Sequence, residues 1–335
     1  MDLAKSFKTE LLHKNMPSSL PYFDQARELL QNAKRIVILS HKNPDADSIG
    51  ANLALREALE NMGKTVVSAC VDAPPENCTF LYQANTYQKD FNSGDFDLIV
   101  TVDCGSHKLM AFHENKPELL DRSKTLLLNI DHHPSNDNFG TVNLVMPEAP
   151  ATCFMLFLFF TYCQWNITAN MATALLHGLY YDTGSFQHSN TTATGLRIAG
   201  RLKALGADHA RSIKEQFHSH SLAQLRLWGR GLERANLNSK NGVVTALTET
   251  DYRATGAKKD DIAGLINYLN HASPAQFCLL LTEDWNGKIK GSMRTQDKNI
   301  DLTKITGLFG GGGHKMAAGF TVTGQLTEKT VWCIT

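Results

Sequence analysis

The chain has 335 residues, 42% apolar and 20% charged, with 33 basic side chains against 33 acidic ones. This length allows two domains with sizeable cores, and the composition excludes a disordered polymer. A formal net charge of zero argues against a protein that grips long duplexes non-specifically, which needs a basic excess. It leaves room for a short or small anionic substrate held by a few local cations.

Seven cysteines are scattered without a C-x-x-C pair, and Cys70, Cys153, Cys163 and Cys278 lie in apolar runs. Reduced core thiols in a cytoplasmic protein are expected. No apolar leader is visible at the N-terminus. The densest apolar stretch, residues 153–160, is too short to span a bilayer and is expected to be a buried helix.

Residues 1–34 read as an N-terminal helical extension, with Leu20, Phe23, Ala26, Leu29 and Leu30 near helical spacing. A strand follows at 35–40, a helix at 48–62 ended by Gly63, and further strands at 65–71, 97–103 and 125–130. This alternation predicts an α/β fold whose first domain, residues 35–190, is a mostly parallel, doubly wound sheet. Buried helices are expected at 151–163 and 170–181, and a helical linker at 191–235. A smaller C-terminal α/β domain, residues 236–335, follows across an interdomain cleft. Its strands are expected at 243–248, 276–281 and 288–293, and its helices at 260–269 and 302–309.

Ligands of such sheets collect beyond the carboxyl ends of the strands, where this chain places its acids. The first strand leads into His41-Lys42-Asn43-Pro44-Asp45-Ala46-Asp47, the third into Asp103-Cys104-Gly105, and the fourth into Asp131-His132-His133-Pro134. The second buried helix delivers Asp182-Thr183-Gly184-Ser185. Singly, Asp103 can be a turn former, Asp182 a cap, and His132 with His133 a surface pair. Together, at the ends of elements of one sheet, these residues point to a metal site. Carboxylates with imidazoles suit Mn²⁺, Mg²⁺ or Co²⁺; no thiolates are spaced for structural zinc. Two divalent ions bridged by a carboxylate can generate a hydroxide near neutral pH and hold phosphoryl oxygens, the equipment for phosphate-ester hydrolysis.

A second signal is Gly310-Gly311-Gly312-Gly313-His314. Four glycines expose backbone N–H groups and permit the positive φ that wraps an anion, and His314 and Lys315 flank them. It is not a P-loop, since no Lys-Ser/Thr follows at the required offset. Arg294, at a strand end, can grip a phosphate with two hydrogen bonds. His188, six residues after Asp182, is a weaker candidate for substrate contact, and the other histidines offer no partner spacing.

This ordered set resembles the DHH phosphoesterase family in its DHH–DHHA1 branch, of the nanoRNase and 3′-phosphoadenosine 5′-phosphate phosphatase type. The likeness covers about residues 30–325. It rests on the four acidic segments above, with Phe186 closing the last, and on residues 309–319. The resemblance implies that His41 and Asp45 bind one Mn²⁺, that Asp47 and His132 bind another, and that Asp103 and Asp182 complete both sites, at least one of them bridging. It further implies that Asp131 orients His132 and that His133 faces the scissile phosphate. Arg294 and the loop from Gly310 through Gly313 to His314 would hold the terminal phosphate or nucleotide. Two departures bear on the substrate alone. Gln187 stands where the family often has Arg or Lys, and Ala263 precedes Gly264-Leu265-Ile266-Asn267 where many relatives carry an acid.

The expected activity is Mn²⁺-dependent hydrolysis of very short single-stranded RNA or DNA to mononucleotides, with 3′-phosphoadenosine 5′-phosphate as a second substrate. Alternatives are a cyclic or linear dinucleotide phosphodiesterase, a pyrophosphatase or exopolyphosphatase, and a nucleotide-binding regulator with a dead metal site. A processive nuclease fits worst, for want of an added nucleic-acid domain. No membrane attachment is expected, and the apolar helix at 154–160 is expected to contribute to a homodimer.

Overall fold

Five short apolar runs pair side by side as one all-parallel sheet in the computed structural model, which describes residues 20–217, 220–272 and 274–327. They are β1 (Arg35–Leu39), β2 (Thr65–Ala69), β3 (Leu98–Val102), β4 (Leu127–Asp131) and β5 (Val142–Val145), in the order β2-β1-β3-β4-β5. Both faces are buried, so the strands read as unbroken apolar runs rather than alternating ones. Ile36, Ile38, Val100, Val102, Leu128 and Ile130 feed one core; Val37, Leu39, Ile99 and Leu127 feed the other.

The first core is closed by α1 (Leu20–Asn32), α2 (Ala46–Glu60), α4 (Thr152–Cys163) and α5 (Ala169–Asp182). The second is closed by short pieces: α3 (His107–Met110) and the 3₁₀ turns Phe112–Glu114 and Pro117–Leu120, which contribute Met110, Phe112 and Leu119. The expected α/β sheet is present, wound on one face by long helices and on the other by turns.

In α1, Phe23 meets Phe159 and Tyr162 edge-on at 5.5 and 5.4 Å, so the described part of the N-terminal extension belongs to this core. Residues 1–19 lie outside the described residues. Every residue of α4 from Thr152 to Phe160 is buried, as expected of a helix apolar on all sides. The segment 154–160 expected at a homodimer interface is therefore a correction: its side chains are enclosed by their own unit. Among the described residues, no helix is long and apolar enough to cross a membrane.

The chain divides into two compact units, the second beginning at His220. The helical stretch 191–235 is shared between them. α6 (Ala193–Ala204) and α7 (His209–Phe217) pack on α5, whereas α8 (Leu222–Glu233) packs in the second unit. That unit holds β6 (Asn236–Leu237), β7 (Gly242–Leu247), β8 (Phe277–Asp284), β9 (Lys288–Arg294), β10 (Gly312–His314) and β11 (Ala317–Thr323). They form a sheet in the order β10-β11-β9-β8-β7-β6, with only β7 and β8 parallel.

α8, α9 (Glu249–Thr255) and α10 (Leu265–Leu269) cover one face through Leu227, Trp228, Tyr252 and Leu265. α11 (Thr303–Thr306) sits at a smaller cluster of Met293, Leu302 and Ala318. The buried carboxylate of Asp251 caps α9 through Thr248 and accepts from Arg230 at 3.1 Å and from Arg234, tying α8 to α9. The helix expected over 260–269 is instead a 3₁₀ turn, Lys259–Ile262, and α10, parted by Gly264 at φ 94°. The helix expected over 302–309 is α11 followed by a 3₁₀ turn.

Candidate metal centre

The carboxyl edge of the parallel sheet gathers the predicted acids and imidazoles. His41 follows β1, Asp103 follows β3 in the left-handed region at φ 57°, and Asp131 ends β4 ahead of His132 and His133. Asp45 caps α2, Asp47 lies in its first turn, and Asp182 ends α5. A non-glycine residue at positive φ is uncommon. At Asp103 this backbone turns a strand-end carboxylate into the space between two histidines.

Asp103 is the centre of the arrangement. Its Oδ2 lies 3.6 Å from His41 Nε2, and its Oδ1 lies 3.5 Å from His132 Nε2. Beyond it, His132 Nε2 is 3.1 Å from Asp182 Oδ2, and His41 Nε2 is 3.9 Å from Asp45 Oδ2. Three overlapping groups result: His41, Asp45 and Asp103; Asp47, His132 and Asp182; and Asp103, His132 and His133. Within each, the ligating atoms lie within 4.8 Å of one another.

Both imidazoles and three of the carboxylates are held by further hydrogen bonds. His41 Nδ1–H donates to the carbonyl of Lys42 at 2.8 Å, and His132 Nδ1–H to that of Ala149 at 3.1 Å. Both rings therefore turn Nε2 inward, the usual device for fixing a ligand tautomer. Asp45 Oδ1 accepts from the N–H groups of Asp47 and Ser48 at 3.0 and 3.1 Å, as an N-cap does, and leaves Oδ2 for His41. Asp47, fully buried, accepts from the N–H groups of Thr152 and Cys153 at 2.6 and 2.9 Å. These are orphan donors at the positive end of α4. The Thr152 hydroxyl donates to Asp103 Oδ1 at 3.0 Å. Gly178 lets α5 come this close: a Cβ there would lie 2.8 Å from Asp47 Oδ1 and overlap Cys153 Sγ.

Among the described residues no lysine or arginine pairs with these acids, which act on one another and on the rings. Burial opposes charge on His41, but the facing Asp103 outweighs it and lifts the imidazole to about 9. Burial opposes charge on His132 too, and Asp182, Asp47 and Asp103 lift it to about 10. Asp45 is pushed up to about 6 by burial and by the charges of Asp103 and Asp182. Burial and the same two charges push Asp47 up as well. Asp103 moves oppositely: burial would raise it, but His41 and His132 hold it below the usual carboxylate range. A hard, oxygen-rich donor set with imidazoles and no thiolate fits divalent metal ions.

One expectation needs correction. Asp131 holds His133, not His132: His133 Nδ1–H donates to Asp131 Oδ1 at 2.7 Å. Extended backbone returns a side chain to the same face every second residue, so Asp131 and His133 share a side and His132 points away to Ala149. His188 is exposed; its Nδ1–H donates to the Asp182 carbonyl at 3.2 Å, closing the turn after α5, and none of the three donor groups includes it.

The glycine run is a second correction, since Gly312–His314 is the edge strand β10 rather than a loop. Gly310 and Gly313 have positive φ, but a side chain at Gly311 would collide with the Gly319 carbonyl. Close strand approach, rather than an anion, demands glycine at that position. In the sheet register Arg294 on β9 faces Ala317 on β11, which faces His314 on β10. Residues directly opposite share a face, so the two cationic candidates flank a small alanine.

Sequence reasoning does not find Thr152, Cys153, Ala149 or Gly178. They act through backbone groups or through the absence of a side chain, and no spacing marks them.

A model of the DHH family, N-terminal domain, matches residues 35–179, and a model of the DHHA1 domain matches residues 240–331. The bifunctional oligoribonuclease and PAP phosphatase NrnA of Thermus thermophilus is 30% identical over 293 residues, 86% of this chain and 84% of its own. The protein of the same name from Bacillus subtilis is 23% identical over 86% of this chain and 89% of its own. A solved exopolyphosphatase-related protein from Bacteroides fragilis shares the fold, with a TM-score of 0.81 and 23% identity over 93% of this chain and 92% of its own. The chain belongs to the DHH family, carries a DHHA1 domain after its DHH domain, and is a hydrolase of the phosphoesterase class.

Proposed function

We propose that this enzyme hydrolyses very short oligonucleotides to mononucleotides and removes a phosphate from 3′-phosphoadenosine 5′-phosphate, using two Mn²⁺ ions. The observation that carries the reading is Asp103, whose two oxygens face His41 and His132 at 3.6 and 3.5 Å, a bridging carboxylate between two donor groups. The relatives named as bifunctional oligoribonuclease and PAP phosphatase favour the substrate class.

His41, Asp45 and Asp103 would hold one ion, and Asp47, His132, Asp182 and Asp103 the other. Divalent ions held by these residues would supply an activated water and neutralise phosphoryl oxygens. Asp47 would be aimed at its ion by the Thr152 and Cys153 N–H groups of α4. His133, hydrogen-bonded to Asp131 and partly exposed, would stabilise the phosphate or return a proton to the leaving oxygen. Arg294 and His314 would hold the terminal phosphate by charge-assisted bonds.

The test is a substrate panel with Mn²⁺: 5′-phosphorylated RNA of two, five and twenty-four nucleotides, 3′-phosphoadenosine 5′-phosphate, a cyclic dinucleotide and polyphosphate. The expected result is the highest kcat/KM on the dinucleotide, with turnover of 3′-phosphoadenosine 5′-phosphate. Preference for polyphosphate or the cyclic dinucleotide would overturn the substrate class and leave the metal centre standing.

A further inference from the structure

A line of polar side chains runs inside the parallel sheet and ends at His133. The Thr101 hydroxyl on β3 donates to Asn129 Oδ1 on β4 at 3.0 Å. Asn129 Nδ2 donates to Asn136 Oδ1 at 3.1 Å, and Asn136 Nδ2 donates to Asp131 Oδ2 at 2.6 Å. Asp131 Oδ1 receives Nδ1–H of His133. The direction of the Asn136 amide is fixed by chemistry, because its oxygen also accepts the backbone N–H of Asn138 at 2.7 Å and its nitrogen also donates to the Cys104 carbonyl at 3.3 Å. All donations from Thr101 onward point toward Asp131, so each bond polarises the next.

Thr101, Asn129 and Asp131 are fully buried, in strands otherwise built of valine, leucine and isoleucine. Buried polar groups cost stability unless every partner is present, and apolar residues of similar shape are often neutral or better. Stability alone therefore does not explain Thr101 and Asn129. The end of the line offers a reason: Asn136 donates to Asp131 Oδ2 while the imidazole of His133 donates to Oδ1, so the amide and the ring hold the two oxygens of one carboxylate. Gly105 closes the other side, where a Cβ would stand 3.1 Å from His133 Cβ.

We propose that Asn136, backed by Asn129 and Thr101, is a positioning residue that sets the orientation of His133 through Asp131. The inference rests on the reading that His133 acts on the substrate phosphate. The test measures kcat and KM on a 5′-phosphorylated diribonucleotide with Mn²⁺ for Asn136→Ala, Thr101→Val, His133→Ala and the double variant His133→Ala/Asn136→Ala. Mn²⁺ affinity and melting temperature are measured alongside. Asn136→Ala should lower kcat about ten- to a hundred-fold, the usual cost of losing a group that orients a functional side chain, with KM and Mn²⁺ affinity within about two-fold of wild type. The double variant should be no slower than His133→Ala, because a residue acting through another has nothing left to act on. NMR of Mg²⁺-loaded protein should show faster exchange of the His133 Nδ1 proton in Asn136→Ala.

Losses that multiply in the double variant, or a loss of Mn²⁺ binding in Asn136→Ala, would assign Asn136 a structural role and overturn the proposal. Should Asn136→Ala not fold, Thr101→Val decides by the same comparison in the His133→Ala background. Full activity of His133→Ala would overturn the reading of His133 itself, and the positioning role with it.

Discussion

Proton and metal ion compete for the same nitrogens at His41 and His132. In the metal-free protein these rings titrate near 9 and 10, above the ordinary imidazole value of 6.5. Below that ordinary value their protons add nothing to pH dependence. As pH rises from there through 9 and 10, the stabilising protons are lost, so the metal-free fold should melt at progressively lower temperature across that window. Mn²⁺ must displace these protons, and its affinity should rise about ten-fold per pH unit for each proton expelled between pH 7 and 9. Calorimetric titration in buffers of different ionisation enthalpy would count the protons. A pH-independent affinity would mean that neither ring is a ligand. The same residues explain what a sequence can and cannot reveal. Acids and imidazoles at strand ends declare themselves, whereas the Thr152 and Cys153 amides that hold Asp47 from more than a hundred residues away acquire their role only when α4 folds against α2.

At the scale of elements, the close approach of α2, α4 and α5 shapes the centre. Gly178→Ala places a methyl group against Asp47 and Cys153. It should cost about 1–3 kcal/mol, as overpacking does, and weaken Mn²⁺ binding at the Asp47 site; chemical denaturation with and without Mn²⁺ checks both. In the second unit, Asp251→Ala removes the α9 cap and the ion pairs that Arg230 and Arg234 make with this carboxylate. It should destabilise that unit by about 2 kcal/mol, the scale of bonds to a charged group, read from its unfolding transition. Element by element, legibility follows burial. β1, β3 and β4 are plain in the sequence because both faces are covered. β5 is hidden because Val142-Asn143-Leu144-Val145 is short, at the sheet edge and only partly buried. The first half of β11 is hidden because Ala317-Ala318-Gly319 has little strand propensity and is extended by pairing with β9 and β10, whereas Phe320-Thr321-Val322-Thr323 carries the strand-forming residues. The helix expected over 260–269 breaks where Gly264 takes a φ closed to other residues.

For the whole molecule, the proposed division of labour puts the chemistry in the first unit and the phosphate grip in the second. Arg294→Ala should then raise KM several-fold with little change in kcat, the signature of binding shared equally by ground and transition states; steady-state kinetics on the dinucleotide would show a fall in kcat instead if Arg294 acted on the transition state. The central claim is narrower and concerns Asp103. The measurement that tests it most directly is the Mn²⁺ stoichiometry and turnover of the wild-type chain beside Asp103→Ala. Two ions per chain in the wild type, with weakened binding of both and no detectable turnover in the variant, is the predicted result. Two tightly held ions and near-normal turnover in Asp103→Ala would contradict it.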